Sequence, residues 1–420
     1  MSTPLRTARG TSRGKLLLVV AAVASVTVVA GCTGGPGGGD HVGQVPPTGS
    51  ASAPGPTAST AAPVLDVEVV TRGLTHGWDV GFLPDGRALV TERPGKIALV
   101  SGLRAAATST TVRADLSDLF VAGEGGLMGM VVHPDFASSR RFTTCQTHQE
   151  GGRPVDIRLV TWRLSDDGRS AAREKYLLTG LPISTGRHSG CRPTIAADGA
   201  LLVGTGDTAQ GAVSQDLTSL GGKVLRLDLQ TGKPLPDNPF ASSPNDRQRY
   251  VYSYGHRNLQ GVAVQPGTGA VYTAEHGPSS NDEVNLIRAG DNYGWDPSQG
   301  GTVGGYDEGV PMTDTRRYPD AVPAVWQSGS TTQAVCAAAF LRGPQWGAYD
   351  GALVITALKG AKLLLLRLDA AGALADVTIP TATNGPYGRL RAARVGPDNA
   401  LYVTTTNGDD DALLRISPRA

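Results

Sequence analysis

A short turn phrase recurs along most of this chain, and it constrains the fold more than any other feature of the sequence. Its first copy is Pro84-Asp85-Gly86, followed by the alternating apolar run Arg87–Glu92. Related copies occupy residues 197–205, 266–273, 349–356 and 397–404, and a weaker relative stands at 133–136. Because proline, aspartate and glycine favour tight turns, each copy predicts a hairpin of two antiparallel strands.

Six hairpins spaced by roughly 50 to 80 residues indicate a repeat architecture. We therefore predict an all-β fold for residues 65–420, a six-bladed β-propeller of four-stranded antiparallel blades. Two separate β-sandwiches are the competing fold, but they do not need one turn phrase along the whole length. In a propeller the loops of all blades meet at an end of the central channel. Polar residues that are far apart in sequence can therefore form one site there.

The first 31 residues are typical of a lipoprotein signal peptide. Basic residues precede an uncharged run at 16–30, which is shorter than the roughly 20 residues of a membrane span. Small residues then lead to Cys32, which we expect to be the lipidated residue; an ordinary secretory signal with an incidental cysteine is the alternative. Residues 32–64, rich in Gly, Pro, Ser, Thr and Ala, predict a flexible linker. The folded part would then be extracytoplasmic, held by its lipid on the outer face of the cell membrane.

The net charge limits the possible ligands, and the cysteine content limits the possible disulfides. The chain has 38 basic and 37 acidic residues, so its net charge of +1 provides no field for binding nucleic acid. In an exported protein Cys145, Cys191 and Cys336 permit one disulfide. Three pairings are open, and the sequence does not choose among them.

Two polar residues flank the third copy of the turn phrase. His188 precedes its first strand, and Asp207 follows its second strand. Because a hairpin returns the chain to nearly the same level, we expect these side chains to approach each other. A carboxylate beside an imidazole fixes its tautomer and raises its basicity, as a general base requires. A structural role is the interpretation for four histidines without an obvious acid–base partner: His76, His133, His256 and His276.

Cations recur at the edges of the repeats. Arg257 lies shortly before an oxygen-rich turn at 275–283, and Lys359 ends a late hairpin. Arg389 and Arg391 alternate by two, so on an extended strand they point the same way. Such cations would hold a ligand that bears several carboxylates, and the oxygens of the turn are of the kind that calcium prefers. Solvated surface charge is the alternative interpretation.

These motifs resemble the soluble quinoprotein glucose dehydrogenases, the glucose/sorbosone dehydrogenase family, over essentially all of residues 65–420. The agreement is strongest at 124–136, 188–207, 254–261, 275–295 and 389–398. The resemblance implies oxidation of an aldose-type sugar to its lactone by hydride transfer to pyrroloquinoline quinone, PQQ, with calcium as a second cofactor. It does not identify the acceptor that takes the electrons from the quinone.

The resemblance also implies a role for the residues of the catalytic centre. His188, in the family's H-x-G-x-R context, looks like the base that takes the sugar hydroxyl proton, and Asp207 looks like its orienting partner. Arg257 and Asn258 look like the groups that contact the reactive carbonyl region of the quinone. Arg257 would also stabilise the charge that develops there.

Further residues are implied to hold the cofactors. Lys359, Arg389 and Arg391 resemble the clamp on the carboxylates of the quinone. The backbone carbonyls of Gly277 and Pro278 resemble ligands of the cofactor calcium. Glu283 and Tyr293 resemble part of a second, structural calcium site.

Two departures from the family pattern affect specificity and geometry. Glu124 stands where the glucose-oxidising member has a cofactor-contacting glutamine, which argues against specificity for glucose rather than against the cofactor. Cys191 replaces a glycine of the H-x-G-G-R motif.

The rival functions are a calcium-dependent propeller lactonase, which has no use for three clustered cations, and a surface binding module without cofactor. The second rival predicts loss of His188 or Arg257, and both are present.

Overall fold

All six turn phrases join two neighbouring antiparallel strands, as predicted. The computed structural model describes residues 61–301 and 305–419. At the first turn Gly86 has a φ of +84°, a backbone conformation that is costly for residues with a side chain. Its N–H donates to the carbonyl of Leu83 at 3.1 Å, and Leu83 N–H donates to the carbonyl of Arg87 at 2.8 Å. Local turn chemistry therefore fixes each hairpin.

The described residues contain 24 strands and only short helices. The first twelve strands are β1 (Leu65–Leu74), β2 (Gly77–Phe82), β3 (Ala88–Glu92), β4 (Lys96–Val100), β5 (Ser109–Val112), β6 (Leu127–Val132), β7 (Arg141–Glu150), β8 (Arg153–Leu164), β9 (Ala171–Leu181), β10 (Arg192–Ile195), β11 (Leu201–Gly204) and β12 (Lys223–Leu227). The others are β13 (Val251–Tyr254), β14 (Leu259–Val264), β15 (Val271–Glu275), β16 (Glu283–Ile287), β17 (Trp326–Gln327), β18 (Val335–Phe340), β19 (Leu353–Ala357), β20 (Lys362–Leu368), β21 (Leu374–Thr378), β22 (Arg394–Val395), β23 (Leu401–Thr404) and β24 (Asp411–Pro418). The helices are α1 (Phe136–Ser139) and the 3₁₀ turns Gln248–Tyr250, Gln299–Gly301, Pro344–Tyr349 and Thr381–Thr383.

The strands form six four-stranded antiparallel sheets, which confirms the six-bladed β-propeller. Blades one to five are the consecutive sets β2–β5, β6–β9, β10–β13, β14–β17 and β18–β21. Blade six combines β22, β23 and β24 with β1, which pairs with β24 from Leu65 opposite Pro418 to Leu74 opposite Asp411. Both ends of the propeller are thus bonded into one blade, so the ring closes without a seam between the first and last repeats.

The innermost strands β2, β6, β10, β14, β18 and β22 surround the channel, and hydrophobic clusters fill the space between adjacent blades. The packing is close at Gly129, where a Cβ atom would lie 2.5 Å from Cδ of Pro193. An ion cluster joins the inner strands. Asp79, fully buried, lies 2.8 Å from Nη1 of Arg192 and 2.8 Å from Nη2 of Arg394. Burial opposes ionisation of Asp79, but these two guanidinium groups hold its pKa below the usual value.

A disulfide joins Cys145 of β7 to Cys191 before β10, which resolves the open pairing, and Cys336 is a buried free thiol. The bond links blade two to the segment that carries His188. With 46 residues between its ends, a disulfide of this span stabilises a fold by about 4 kcal/mol in the chain-entropy model. The predicted signal peptide, the lipidation of Cys32 and nearly all of the linker lie outside the described residues. Within residues 61–301 and 305–419, no helix is long and apolar enough to cross a membrane.

Candidate active site

Strand direction explains why the predicted residues gather at one end of the propeller. Each innermost strand begins at this end, and the second strand of the same blade runs antiparallel to it and finishes there. His188 and Asn258 precede the innermost strands β10 and β14, whereas Asp207 and Lys359 follow the second strands β11 and β19. Residues at these two kinds of position therefore lie on one face.

His188 and Asp207 form the predicted pair. Nδ1 of His188 lies 2.8 Å from Oδ1 of Asp207, and both side chains are buried, at 3% and 0% exposure. The approach needs a glycine before the aspartate, because a Cβ atom on Gly206 would lie 1.9 Å from the carbonyl oxygen of His188. An ionised carboxylate can only accept, so Nδ1 carries the proton. Nε2 of His188 has no hydrogen-bond partner among the described residues and is the atom available as a base.

Two aromatic residues that the sequence did not single out complete this pair. Nε1 of Trp295 donates to Oδ2 of Asp207 at 2.8 Å, and the hydroxyl of Tyr306 donates to the same oxygen at 2.6 Å. Both residues lie on the long connection between β16 and β17. Trp295 belongs to a motif of the resembled family, whereas no signal in the sequence marks Tyr306.

Arg257 is fixed beside this pair by its main chain and its side chain. Its carbonyl accepts a hydrogen bond from Asp207 N–H at 2.8 Å, and its own N–H donates to Glu275. Its Nη1 donates to the carbonyls of His276 at 2.9 Å and Gly277 at 3.0 Å. Its Nη2 pairs with Glu308 at 2.6 Å. The guanidinium is 4% exposed, and Nε has no partner among the described groups.

Glu124 and Asn258 are hydrogen-bonded to each other. Nδ2 of Asn258 donates to Oε2 of Glu124 at 3.0 Å, and Nε2 of Gln260 lies 3.2 Å from the same oxygen. Burial opposes the ionisation of Glu124, but His276, His188, the amide of Asn258 and Arg391 together hold its pKa below the usual value. Glu124 is therefore a carboxylate at neutral pH, and cationic and amide groups offset its charge.

Cationic residues lie at this end of blades five, six and one. Within the described part of the chain, no carboxylate lies at ion-pair distance from Lys359, Arg389 or Arg391. The same holds for Arg93, which the sequence reasoning missed although it follows a second strand as Lys359 does. Arg391 is 8% exposed, whereas Lys359 and Arg389 are exposed. Burial and the neighbouring charge of Arg391 lower the pKa of Arg93 and of Arg389, which shows that like charges are crowded here.

Unpaired polar atoms support binding of an anion at this end. Nε of Arg257, Nε of Arg391 and Nε2 of His276 are buried and make no hydrogen bond within the described chain. Burial lowers the pKa of His276, and the nearby carboxylates of Glu124 and Asp282 oppose that shift. Buried donors without acceptors are costly, and a ligand with several carboxylates would satisfy them. The residues therefore fit the carboxylate-bearing quinone that the family resemblance implies.

The calcium residues lie in two different environments. The carbonyl of Gly277 faces Arg257, and Pro278 is the next residue of the same turn. Glu283 is buried opposite Glu275 on the adjacent strand, and burial together with Glu275 raises the pKa of Glu283 to about 8. The hydroxyl of Tyr293 bonds to main-chain atoms of Leu286 and Arg288, not to Glu283. Two buried carboxylates side by side are a place where a cation would offset negative charge. Across the described residues, no group of three or more His, Cys, Asp and Glu side chains is arranged around a common point. Calcium thus stays a prediction.

The interpretation of His256 as lacking an acid–base partner was wrong. Its Nδ1 lies 2.9 Å from Oε2 of Glu275, and its Nε2 lies 2.9 Å from Oγ of Ser253. The sequence did not reveal this pairing, because Glu275 lies on the neighbouring strand. All three side chains are buried, and the ring of Tyr293 stacks on the imidazole at 4.5 Å. This buried network is structural: Glu275 also holds the N–H of Arg257.

Comparisons with known proteins agree with the motifs. The family model "Glucose / Sorbosone dehydrogenase" matches residues 74–415. The aldose sugar dehydrogenase YliI of Escherichia coli (strain K12) is 32% identical over 370 residues, covering 86% of this chain and 96% of that protein. The apo-form crystal structure of the soluble aldose sugar dehydrogenase of E. coli has a TM-score of 0.72 at 30% identity, and covers 85% of this chain and 100% of its own. The PQQ-bound aldose sugar dehydrogenase of Streptomyces coelicolor has a TM-score of 0.66 at 28% identity, with coverage of 85% and 100%.

Proposed function

The chain belongs to the glucose/sorbosone dehydrogenase family, and from this premise we propose that it oxidises an aldose-type sugar to its lactone with PQQ as the hydride acceptor. Membership of this family makes the protein an oxidoreductase of the sugar dehydrogenase class. The observation that carries the finer proposal is the buried pair of His188 and Asp207 at the same end as cations without acidic partners.

The residues suited to hold the quinone surround this pair. Arg391, with Arg389 and Lys359, would bind its carboxylates, because charge-assisted bonds from guanidinium groups to carboxylates are strong and directional. Arg257 and Asn258 would contact its reactive carbonyl region, and Glu124 would lie beside it. We extend the proposal to Ca²⁺.

The two calcium positions differ in role. The carbonyls of Gly277 and Pro278 would hold the ion next to the quinone. Glu283 and Tyr293 would belong to a second, structural site. The oxygen donors of both positions are of the kind that Ca²⁺ takes.

His188 supplies the proton chemistry. Its Nδ1–H is held by Asp207, so Nε2 presents a lone pair that removes the proton from the anomeric hydroxyl of the sugar. When bound, PQQ would supply the acceptor for the hydride on the same carbon. As the imidazole becomes an imidazolium, the ionised Asp207 stabilises the new positive charge. Desolvation strengthens this interaction, since both side chains are buried.

The test combines binding and turnover. Purified protein is titrated with PQQ in the presence and absence of Ca²⁺, and dye reduction is then followed with a panel of aldoses. We expect turnover to require both additions. His188→Ala should abolish turnover and retain quinone affinity. His76→Ala is the matched control, because His76 precedes the innermost strand of blade one as His188 precedes that of blade three.

Two results would contradict this proposal. Failure to bind PQQ at micromolar concentration would reject the quinone, and a panel of lactones would then test the hydrolytic rival. Turnover of His188→Ala near the wild-type rate would remove His188 from the role of base.

We also propose that the enzyme is attached to the outer face of the cell membrane through a lipid on Cys32. The proposal is supported by the short apolar run at 16–30 and the small residues before the cysteine. Fatty-acid labelling of the wild type, absent in Cys32→Ser, is the expected result. Equal release of both proteins into the medium would contradict it.

A further inference from the structure

Tyr306 contacts both members of the catalytic pair, and the family resemblance assigned it no role. Its hydroxyl oxygen lies 2.6 Å from Oδ2 of Asp207 and 3.1 Å from Nδ1 of His188. We propose that Tyr306 is a positioning residue, whose hydroxyl holds Asp207 in the orientation that keeps the proton on Nδ1 of His188 and leaves Nε2 free to act as the base. The inference rests on the proposed function, because it takes His188 as that base.

The direction of the hydrogen bonds follows from the chemistry of the three groups. An ionised carboxylate only accepts, so the hydroxyl of Tyr306 donates to Asp207. Burial, together with the nearby charge of Asp207, raises the pKa of Tyr306, so the phenol keeps its proton and stays a donor. Its oxygen can still accept, and it lies within reach of the proton on Nδ1 of His188. The hydrogen bonds of all three groups are thus consistent with the imidazole tautomer that carries its proton on Nδ1.

The carboxylate of Asp207 is held by four donors. Oδ1 accepts from Nδ1 of His188 and from the N–H of Ala209, each at 2.8 Å. Oδ2 accepts from Trp295 and from Tyr306. Rotation of the carboxylate would break bonds at both oxygens. Loss of the Tyr306 hydroxyl would leave Oδ2 with Trp295 alone, and the carboxylate could then turn away from the imidazole.

The segment around Tyr306 is anchored on the site by more than this hydroxyl. Glu308, two residues further on, pairs with Arg257 and with Arg187. The ring of Tyr306 lies against His188 and Trp295, with centroids 5.9 Å and 6.2 Å apart. The hydroxyl is therefore delivered to Asp207 by a ring that packs against two side chains and by a segment that Glu308 anchors two residues further on, which is the arrangement expected for a group that orients another.

Tyr306→Phe tests the inference because it removes the hydroxyl and keeps the ring packing. We expect kcat to fall roughly 10- to 100-fold, the effect of a misaligned reacting group, with KM for the sugar and affinity for PQQ nearly unchanged. Tyr318→Phe is the matched control. It removes a tyrosine hydroxyl that likewise donates to a buried carboxylate, Asp296 at 2.7 Å, and that makes no hydrogen bond to His188 or Asp207 among the described residues.

A second readout does not depend on turnover. The Nδ1 proton of His188, bonded to a carboxylate, should give a low-field signal in the proton NMR spectrum of the quinone-free protein. We expect the signal to shift or broaden in Tyr306→Phe and to persist unchanged in Tyr318→Phe.

The outcomes separate this inference from the proposed function. Wild-type protein without PQQ-dependent turnover would overturn the proposed function. Active wild type with equal kcat and an equal His188 signal in Tyr306→Phe would overturn the role of Tyr306. An equal loss of kcat in Tyr306→Phe and Tyr318→Phe would also overturn it, because the effect would then be general to tyrosine hydroxyls that donate to buried carboxylates.

Discussion

Asp207→Asn is the substitution whose consequence follows most directly from the geometry. The carboxylate accepts four hydrogen bonds, two on each oxygen. An asparagine of the same shape has one accepting oxygen and one donating NH₂ group. It also lacks the negative charge that stabilises the imidazolium of His188. The substitution therefore changes both hydrogen bonding and electrostatics without changing volume.

Either orientation of the amide is unfavourable. With its oxygen toward His188, the NH₂ group meets the indole N–H of Trp295, which cannot accept. One buried donor without an acceptor costs about 1–3 kcal/mol. With its NH₂ group toward His188, the amide donates to Nδ1, so the imidazole proton moves to Nε2 and the base is lost. The N–H of Ala209 then loses its acceptor. A wrong tautomer in a comparable catalytic pair costs roughly 10⁴-fold in kcat.

We therefore expect kcat to fall roughly 10²- to 10⁴-fold and the free energy of unfolding to fall by about 1–3 kcal/mol. Dye reduction at saturating PQQ measures the first quantity, and urea denaturation measures the second. PQQ affinity should be retained. Asp216→Asn is the control, because Asp216 lies on the same connection but is exposed, and within the described residues its carboxylate accepts hydrogen bonds only from Thr218. A kcat within about tenfold of wild type would refute the assignment of Asp207 as the orienting partner.

Three further predictions concern the cofactor and the fold. Arg391→Met should weaken PQQ binding by about tenfold or more, because it removes a buried guanidinium that has no acidic partner among the described residues. An unchanged affinity in a fluorescence titration would count against a role of Arg391 in binding the carboxylates of the quinone. Lys223→Met should lower the free energy of unfolding, measured in urea, by about 2–4 kcal/mol. The buried ammonium donates to three main-chain carbonyls, which would lose their donor. A variant as stable as the wild type would show that water replaces the ammonium. Burial lowers the pKa of His133 to about 4, so the folded state binds this proton less readily than the unfolded chain. The stability contributed by neutral His133 is present above about pH 6.5 and is lost as pH falls toward 4, by about 2 kcal/mol at pH 5. His133→Gln should flatten this pH dependence of the free energy of unfolding. Parallel curves of unfolding free energy against pH for the variant and the wild type would contradict the prediction.

The architecture was predictable because its main signal is local. A turn phrase such as Pro84-Asp85-Gly86 specifies its own hairpin, and six hairpins in one chain leave few closed solutions. The approach of His188 and Asp207 followed from the same reasoning, since a hairpin brings its two ends together. Partners on different elements were not predictable. The pairing of Cys145 with Cys191 depends on the packing of blade two against blade three, which no spacing in the sequence encodes.

Tyr306 shows the same limit within the site. It lies on a connection without strand periodicity, and its contact with Asp207 spans 99 positions of the chain. Arg93 could have been found, because it follows the second strand of its blade as Lys359 follows the second strand of another.

The division of charge around the channel would allow this chain to combine the proposed base with the proposed anion site. Asp207 needs to face an imidazole, whereas Arg391 needs to remain without an acidic partner until a ligand arrives. If these two side chains met, they would form a stable ion pair and neither would serve its purpose. The propeller places Asp207 on blade three and Arg391 on blade six, with the amides of Asn258 and Gln260 between them. Because the two residues belong to different blades, their opposite charges lie on one face of the propeller without forming an ion pair with each other. Arg391 crowds Arg93 and Arg389 with like charge, and an anion bound at the proposed site would offset that repulsion.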